Sequence, residues 1–176
     1  PDSASTGFES LIVGTITFPA AAGYYRVAQY PTAVPGVSEP RGGASLDLLL
    51  TGGSFSPNTY SIDFFKFYTQ SGTNHTLKLA QYGVSAFITK ARLAVQSNIT
   101  YLEIYKAATS VDMPTRIKFN RIHQYNGGST PLYGTATSGA GSTSLVEVSF
   151  IPKGTSVEAL RVCLLYTSDA ADDVNG

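Results

Sequence analysis

With 176 residues the chain fits a single domain, and a hydrophobic fraction of 43% is enough to build its core. Charged residues make up only 14%, against about 25% in typical globular domains, and 12 basic residues balance 12 acidic ones, so the composition gives no support for nucleic-acid binding. One cysteine excludes a disulfide framework. No segment approaches the roughly 20 apolar residues of a membrane helix, so membrane insertion is not expected.

Short β-branched and aromatic segments recur along the chain, separated by Gly, Pro, Asn and Ser clusters that are typical of turns. In chain order, the predicted strands are Leu11–Phe18, Tyr24–Tyr30, Ser45–Thr51, Thr59–Tyr68, His75–Tyr82, Ala86–Val95, Ile99–Lys106, Thr115–Tyr125 and Leu145–Phe150. Arg41-Gly42-Gly43 is interpreted as a turn, and segment 127–144 as a surface loop or a hinge before the last strand. The sequence therefore predicts an all-β fold, an antiparallel, jelly-roll-like β-sandwich of about nine to ten strands.

Alternation of apolar and polar residues assigns faces to two consecutive strands. The residues predicted to point into the core are Leu102, Ile104, Ile117 and Phe119. The residues predicted to face outward are Tyr101, Glu103, Tyr105, Arg116 and Lys118. Substitution of Glu103 or Lys118 is expected to cost little. The alternation breaks at Asn120-Arg121-Ile122, where a β-bulge would return Ile122 to the core. It also breaks at Leu48-Leu49-Leu50 and at Phe64-Phe65, which are predicted to be covered on both faces, by the partner sheet and by a loop or another subunit.

The C-terminal residues resemble a cloning or sequencing scar. The segment from Cys163 to Asp173 (CLLYTSDAADD) is similar to one reading frame of a transposase-type sequencing adapter. We therefore expect residues 163–176 to be a non-native tail, residues 1–7 to be a disordered N-terminal segment and residues 8–162 to form the sandwich domain. Without the three aspartates of that tail, 12 basic residues face 12 − 3 = 9 acidic ones, a net charge of about +3.

Catalytic and metal-binding motifs are weak in this sequence. His75 and His123 lack the spacing of zinc ligands, and no G-x-S-x-G elbow occurs. The carboxylates available for a glycosidase-like acid/base pair are Asp47, Asp63, Glu103, Asp112 and Glu147. We interpret them as residues of the solvated faces, or as partners of Arg26, Arg41 or Lys66. We therefore expect a binding or assembly domain rather than an enzyme, with no cofactor and no metal site; a hydrolase or lyase is the weakest alternative.

Tyrosine is the most informative residue type, with eleven copies and no tryptophan. Tyrosine offers large, rigid contact area and is enriched at interfaces. Tyr101 and Tyr105 share outward parity, and Arg116 and Lys118 are predicted to lie beside them on the neighbouring strand. The predicted contact residues are Tyr101, Tyr105, Arg116, Lys118 and Tyr125. Such a face suits a subunit seam, which we favour, or an acidic bacterial surface polysaccharide. Arg116, Lys118 and Arg121 form a basic stripe too small to predict nucleic-acid binding.

Several segments resemble a module of known architecture. They are Leu11–Pro19 (LIVGTITFP), Arg41–Asp47 (RGGASLD), Ala91–Val95 (ARLAV) and Tyr101–Lys106 (YLEIYK). Together they resemble the β-sandwich module of bacteriophage tail fibres and tailspikes over about residues 8–151. The resemblance implies a homotrimeric, extracellular module of the virion tail near the receptor-binding tip, without a cofactor. The alternative is a carbohydrate-binding or adhesin sandwich of a bacterial surface protein or enzyme.

Overall fold

The computed structural model describes residues 12–31, 41–50, 58–69, 72–82, 87–125 and 130–149. The strands are β1 (Ile12–Phe18), β2 (Gly23–Pro31), β3 (Arg41–Leu50), β4 (Asn58–Thr69), β5 (Gly72–Tyr82), β6 (Ile88–Gln96), β7 (Ile99–Lys106), β8 (Met113–Tyr125), β9 (Thr130–Pro131), β10 (Gly134–Thr135) and β11 (Thr143–Ser149). Within these ranges no helix is long and apolar enough to span a bilayer. The predicted N-terminal segment 1–7 and the predicted tail 163–176 lie outside the described residues.

The strands form two sheets. The six-stranded sheet has the order β10-β1-β8-β3-β4-β5, and the five-stranded sheet has the order β11-β6-β7-β2-β9. The long ladders are antiparallel, and the short β1–β10 pairing is parallel. Because β1 pairs with β8 in one sheet while β2 pairs with β7 in the other, the chain wraps both sheets around one core. The predicted antiparallel all-β sandwich is confirmed.

The strand predictions were most accurate where apolar alternation is regular. β7 has the predicted bounds. The prediction of a turn at Arg41-Gly42-Gly43 was wrong, since these residues begin β3 and pair with β8. The prediction for segment 127–144 missed two short strands, β9 and β10, which add to the edges of different sheets. Two-residue pairings carry no periodic signal that a sequence pattern could reveal.

The predicted faces of β7 and β8 agree with the core. Leu102, Ile104, Ile117 and Phe119 are at most 1% exposed and belong to one hydrophobic cluster. The β8 bulge is also confirmed, because Phe119 pairs with Leu46 and Arg121 with Ser45, which leaves Asn120 as the extra residue. Ile122 is buried as a consequence. Leu49 is 38% exposed, so within the described residues no loop covers the outer face of Leu48-Leu49-Leu50, and cover by another subunit stays a prediction.

A buried lysine closes one end of the sandwich. Lys106 is fully buried at the end of β7. Its Nζ donates to the carbonyl oxygens of Ala20, at 3.0 Å, and of Ala107, at 2.9 Å. Burial lowers the pKa of Lys106, and the negative charge of Asp112 opposes that shift. Lys106 thus ties the β1–β2 connection to the end of β7.

Candidate functional site

Glu103 lies at the centre of the outer face of the five-stranded sheet and is fully buried. It stands on β7, directly opposite Arg26 on β2 and Arg92 on β6. The Arg92 Nε lies 2.8 Å from Glu103 Oε2, and the Arg26 Nε lies 3.4 Å from Oε1. One carboxylate is therefore held between two guanidinium groups whose side chains are only 12% and 13% exposed.

The segment between β10 and β11 covers this carboxylate. Its backbone first pairs with the edge of β2, where the Gly139 amide donates to the Tyr24 carbonyl at 2.8 Å. Gly139 then packs on Glu103, and a Cβ at this position would overlap the carboxylate. The Gly139 carbonyl accepts a hydrogen bond from Arg92 at 3.2 Å, and Ser142 Oγ donates to Glu103 Oε1 at 2.7 Å. A side chain at position 139 would therefore displace the Glu103 carboxylate from this position.

On the outer face of the five-stranded sheet, one tyrosine ring stacks against each of the two arginines. The Arg26 guanidinium lies 3.8 Å from the centre of the Tyr101 ring, and that of Arg92 lies 3.6 Å from the centre of the Tyr24 ring. Tyr24 in turn contacts Tyr105 edge-on, with ring centres 5.1 Å apart. We call Tyr24, Tyr101 and Tyr105, with Arg26 and Arg92, the tyrosine face. Because Glu103 orients both arginines, the rings rest on a rigid ionic base.

An ion pair lies at the rim of the tyrosine face. Lys90 and Glu147 lie 3.6 Å apart and are 43% and 35% exposed. Lys90 also lies 5.9 Å from the centre of the Tyr105 ring. The Tyr24 hydroxyl donates to Glu147 Oε2. Burial, this hydrogen bond and the negative charge of Glu147 raise the pKa of Tyr24 to about 12, although Arg92 opposes the shift.

The Tyr24 pKa gives a direct test of this arrangement. In NMR spectra of tyrosine-ring-labelled protein, the signal that Tyr24→Phe removes should titrate near pH 12, and Glu147→Gln should move that titration towards pH 10. The pKa of Tyr24 is higher in the folded than in the unfolded chain. Its contribution to the free energy of unfolding is therefore complete below about pH 10 and is lost as the pH rises from about 10 to 12. A Tyr24 titration near pH 10 in the unmodified protein would contradict the hydrogen bond to Glu147.

The structure separates the predicted contact residues. Tyr101 and Tyr105 lie together on the tyrosine face, but Tyr101 is only 8% exposed beneath Arg26. Arg116 and Lys118 lie on β8, which belongs to the six-stranded sheet, so the core separates them from the tyrosines. The prediction of one mixed aromatic and basic face was therefore wrong, because strands adjacent in sequence enter different sheets. The side chain of Tyr125 lies outside the described residues.

Sequence reasoning named Arg26 only as a possible partner of the carboxylates. It did not place Tyr24, Arg26 or Arg92 on a common face, and it did not place Gly139 and Ser142 over Glu103. A usable signal existed for the arginines. Arg26, Arg92 and Glu103 each lie at an outward position between two apolar or aromatic residues, where a charge is expected to need a partner. Gly139 and Ser142 lie in an aperiodic segment, and nothing in its composition predicts where it crosses the sheet.

Most of the candidate carboxylates serve local structure. Glu103 and Glu147 have the partners described above. Asp47 accepts hydrogen bonds from Ser61 Oγ at 2.6 Å and Asn120 Nδ2 at 2.9 Å, and Asp112 accepts one from the Ala20 amide at 2.9 Å. Among the described residues, no group of three or more His, Cys, Asp and Glu side chains is arranged to hold a metal ion.

Comparison with protein-family models and with curated proteins gives no match. Among solved structures, the chain is similar to WceF of Pantoea stewartii, described as a glycan biofilm modifying enzyme with a bacteriophage tailspike-like parallel β-helix fold. The two share 11% sequence identity with a TM-score of 0.40, over 80% of this chain and 22% of that protein. This chain thus spans less than a quarter of WceF, and a likeness at this level carries no argument about function.

Proposed function

We propose that this chain is a structural and receptor-binding module of a phage tail fibre or tailspike, located on the virion outside the cell. In this proposal it forms a homotrimer, and the tyrosine face is the seam between subunits. The proposal rests on the resemblance of the strand segments to that module and on the chemistry of the tyrosine face.

The observation that carries the seam is that the charges beneath the rings are already paired within a single chain. Glu103 is paired with Arg26 and with Arg92, and all three side chains are almost excluded from solvent within a single chain. A protein surface that docks here would cover rings whose ionic base is already desolvated and paired. Burying an unpaired charge costs roughly several kcal/mol. Burying the tyrosine face against another subunit would separate no charge from its partner.

A binding role is also favoured by the state of the carboxylates. A general acid or base must be free to exchange a proton with a substrate. Both oxygens of Glu103 are engaged by Arg26, Arg92 and Ser142, and the Gly139 backbone covers the group. These interactions support an assembly surface rather than a catalytic cleft.

Light scattering coupled to size exclusion tests the seam. The full chain is expected to elute with three times its mass of 18.6 kDa. The double variant Tyr24→Ala with Tyr105→Ala removes the two rings that remain partly exposed and should shift the protein to monomer. Its far-ultraviolet circular dichroism should retain the β-sheet signal, because neither side chain belongs to the core cluster.

The matched control is Tyr82→Ala. Tyr82 is 61% exposed on β5 of the other sheet, so it tests the loss of an exposed ring away from the tyrosine face. This variant should remain trimeric. A monomeric unmodified chain, or a double variant that stays trimeric, would refute the seam. Loss of glycan-array binding by the double variant at an unchanged mass would instead make the tyrosine face a sugar site and favour the carbohydrate-binding alternative.

A further inference from the structure

The outer face of the six-stranded sheet contains a pocket of about 550 Å³, far from the tyrosine face. Its outward-facing lining is polar and charged except for one aromatic ring. The residues are Ser45, Asp63, Phe65, Thr76, Lys78 and Arg121. The sequence predicted no shared role for these residues: Asp63 was one of the candidate carboxylates, and Arg121 belonged to the basic stripe.

Strand register explains why these side chains converge. Arg121 pairs with Ser45, Ser45 with Asp63, and Asp63 with Lys78, so four adjacent strands present one continuous row. The bulge at Asn120 sets this row, because it returns Arg121 to the outward face. The pocket is therefore formed by regular strand pairing and by one β-bulge, rather than by a loop.

The next row of paired residues across the sheet forms the floor of the pocket. Gly43 pairs with Phe65, and Phe65 pairs with Thr76. A Cβ at Gly43 would overlap the backbone of Phe64 and Phe65, so no side chain can fill this position. The ring of Phe65, only partly buried, lies beside the charged row and lines the pocket.

Two of the three charged side chains of this pocket, Asp63 and Lys78, are available to a ligand. Asp63 and Lys78 face each other on adjacent strands, yet within the described part of the chain neither side chain has a hydrogen bond or an ion pair. Both are exposed, as is Arg121. Among described side chains, the outer face of this sheet carries four cations and two carboxylates: Lys78, Arg116, Lys118 and Arg121 against Asp47 and Asp63. The surplus is positive, which favours an anionic ligand.

We propose that this pocket binds an acidic oligosaccharide that carries carboxylate groups, such as a chain of uronic acids. Arg121 presents a planar fork that matches a sugar carboxylate, and Lys78 supplies a second positive charge. Ser45, Asp63 and Thr76 offer hydrogen-bonding groups to sugar hydroxyls, and the Phe65 ring offers an apolar surface to a sugar ring.

The distance across the row from Arg121 to Lys78 favours an oligosaccharide over a single sugar as the ligand. Arg121 and Lys78 lie on strands separated by three strand spacings, which is about 14 Å. A ligand that contacts both cations must therefore cross the sheet rather than occupy one point. This site is independent of the seam, since the two lie on opposite faces of the sandwich.

The test is isothermal titration of the full chain with oligomers of galacturonic, glucuronic and mannuronic acid, each beside its neutral homologue. At least one acidic oligomer should bind, its neutral homologue should not, and added salt should weaken binding. Arg121→Gln and Lys78→Gln should each weaken it about tenfold. Both side chains are exposed, so the variants should keep the circular dichroism and the melting temperature of the unmodified chain.

The charge-matched comparison is Lys118→Gln, on the same face and the same strand as Arg121 but outside the pocket. It should weaken binding by less than about twofold, because a screened, distant charge contributes little. An equal loss with Lys118→Gln, equal binding of a ten-residue oligothymidylate, or no binding of any acidic oligomer would refute the pocket. The tyrosine-face double variant should retain the binding whatever its mass, so this outcome and the oligomeric state are decided separately.

Discussion

Replacing Glu103 with alanine is expected to lower the free energy of unfolding by about 3–5 kcal/mol, which is the usual cost of breaking a buried ion pair from one side. The carboxylate is fully buried between Arg26 and Arg92. Its removal would leave two guanidinium groups beneath the covering segment without their anion, and Ser142 Oγ without its acceptor. Urea denaturation followed by circular dichroism measures this loss.

The control is Glu147→Ala, which removes the same side chain from the rim of the same face. Glu147 is 35% exposed and lies 3.6 Å from Lys90, so its loss should cost no more than about 1 kcal/mol. A double-mutant cycle between Arg92 and Glu103 should give a coupling energy above about 1 kcal/mol. If Glu103→Ala costs no more than Glu147→Ala, the ion cluster is not a structural base for the rings.

This prediction reverses the expectation from the sequence, in which Glu103 was an outward residue of low cost. Its parity was right, since Leu102 and Ile104 on either side of it belong to the core. Parity assigns a face, however, and cannot tell whether another part of the chain covers that face. The cover comes from the Gly139–Ser142 segment, more than thirty residues later in the sequence, whose small, polar residues have no period that would place it.

Part of the ion cluster was within reach of sequence reasoning. β6 and β7 are joined by Ser97 and Asn98, whose positive φ angles of 51° and 60° match the two-residue hairpin turn. A two-residue turn at this point pairs residues symmetrically about it and places Arg92 opposite Glu103, as the structure has them. The third member, Arg26, comes from β2, which pairs with β7 across a gap of more than sixty residues, and a single sequence carries no signal for that pairing.

The same limit explains the error over Arg116 and Lys118. β7 and β8 follow each other along the chain, and consecutive strands are neighbours in space about two-thirds of the time. Here the connection between them crosses from one sheet to the other. The local features of β8 were nevertheless correct, including the bulge that returns Ile122 to the core and turns Arg121 outward. Local periodicity therefore predicted the faces of β7 and β8, while the partners of each face depended on the topology.

Phe119→Ala is expected to cost about 3–5 kcal/mol, the range for removing a buried phenylalanine from a packed core. Phe119 is 1% exposed on the inner face of the six-stranded sheet, and its neighbours in register are Ile12 on β1 and Leu46 on β3. The ring therefore packs at the centre of a sheet, and its truncation would leave a cavity in the core. Thermal and urea unfolding should both show the loss.

The adjacent residue provides the control, because one step along a strand reverses the face. Lys118→Ala should change the free energy of unfolding by no more than about 0.5 kcal/mol, since Lys118 points away from the core and forms no part of the hydrophobic cluster. A larger loss for Lys118→Ala than for Phe119→Ala would mean that β8 is shifted by one residue. In that case Arg121 would leave the outer face, so this pair of variants also tests the register on which the proposed oligosaccharide pocket depends.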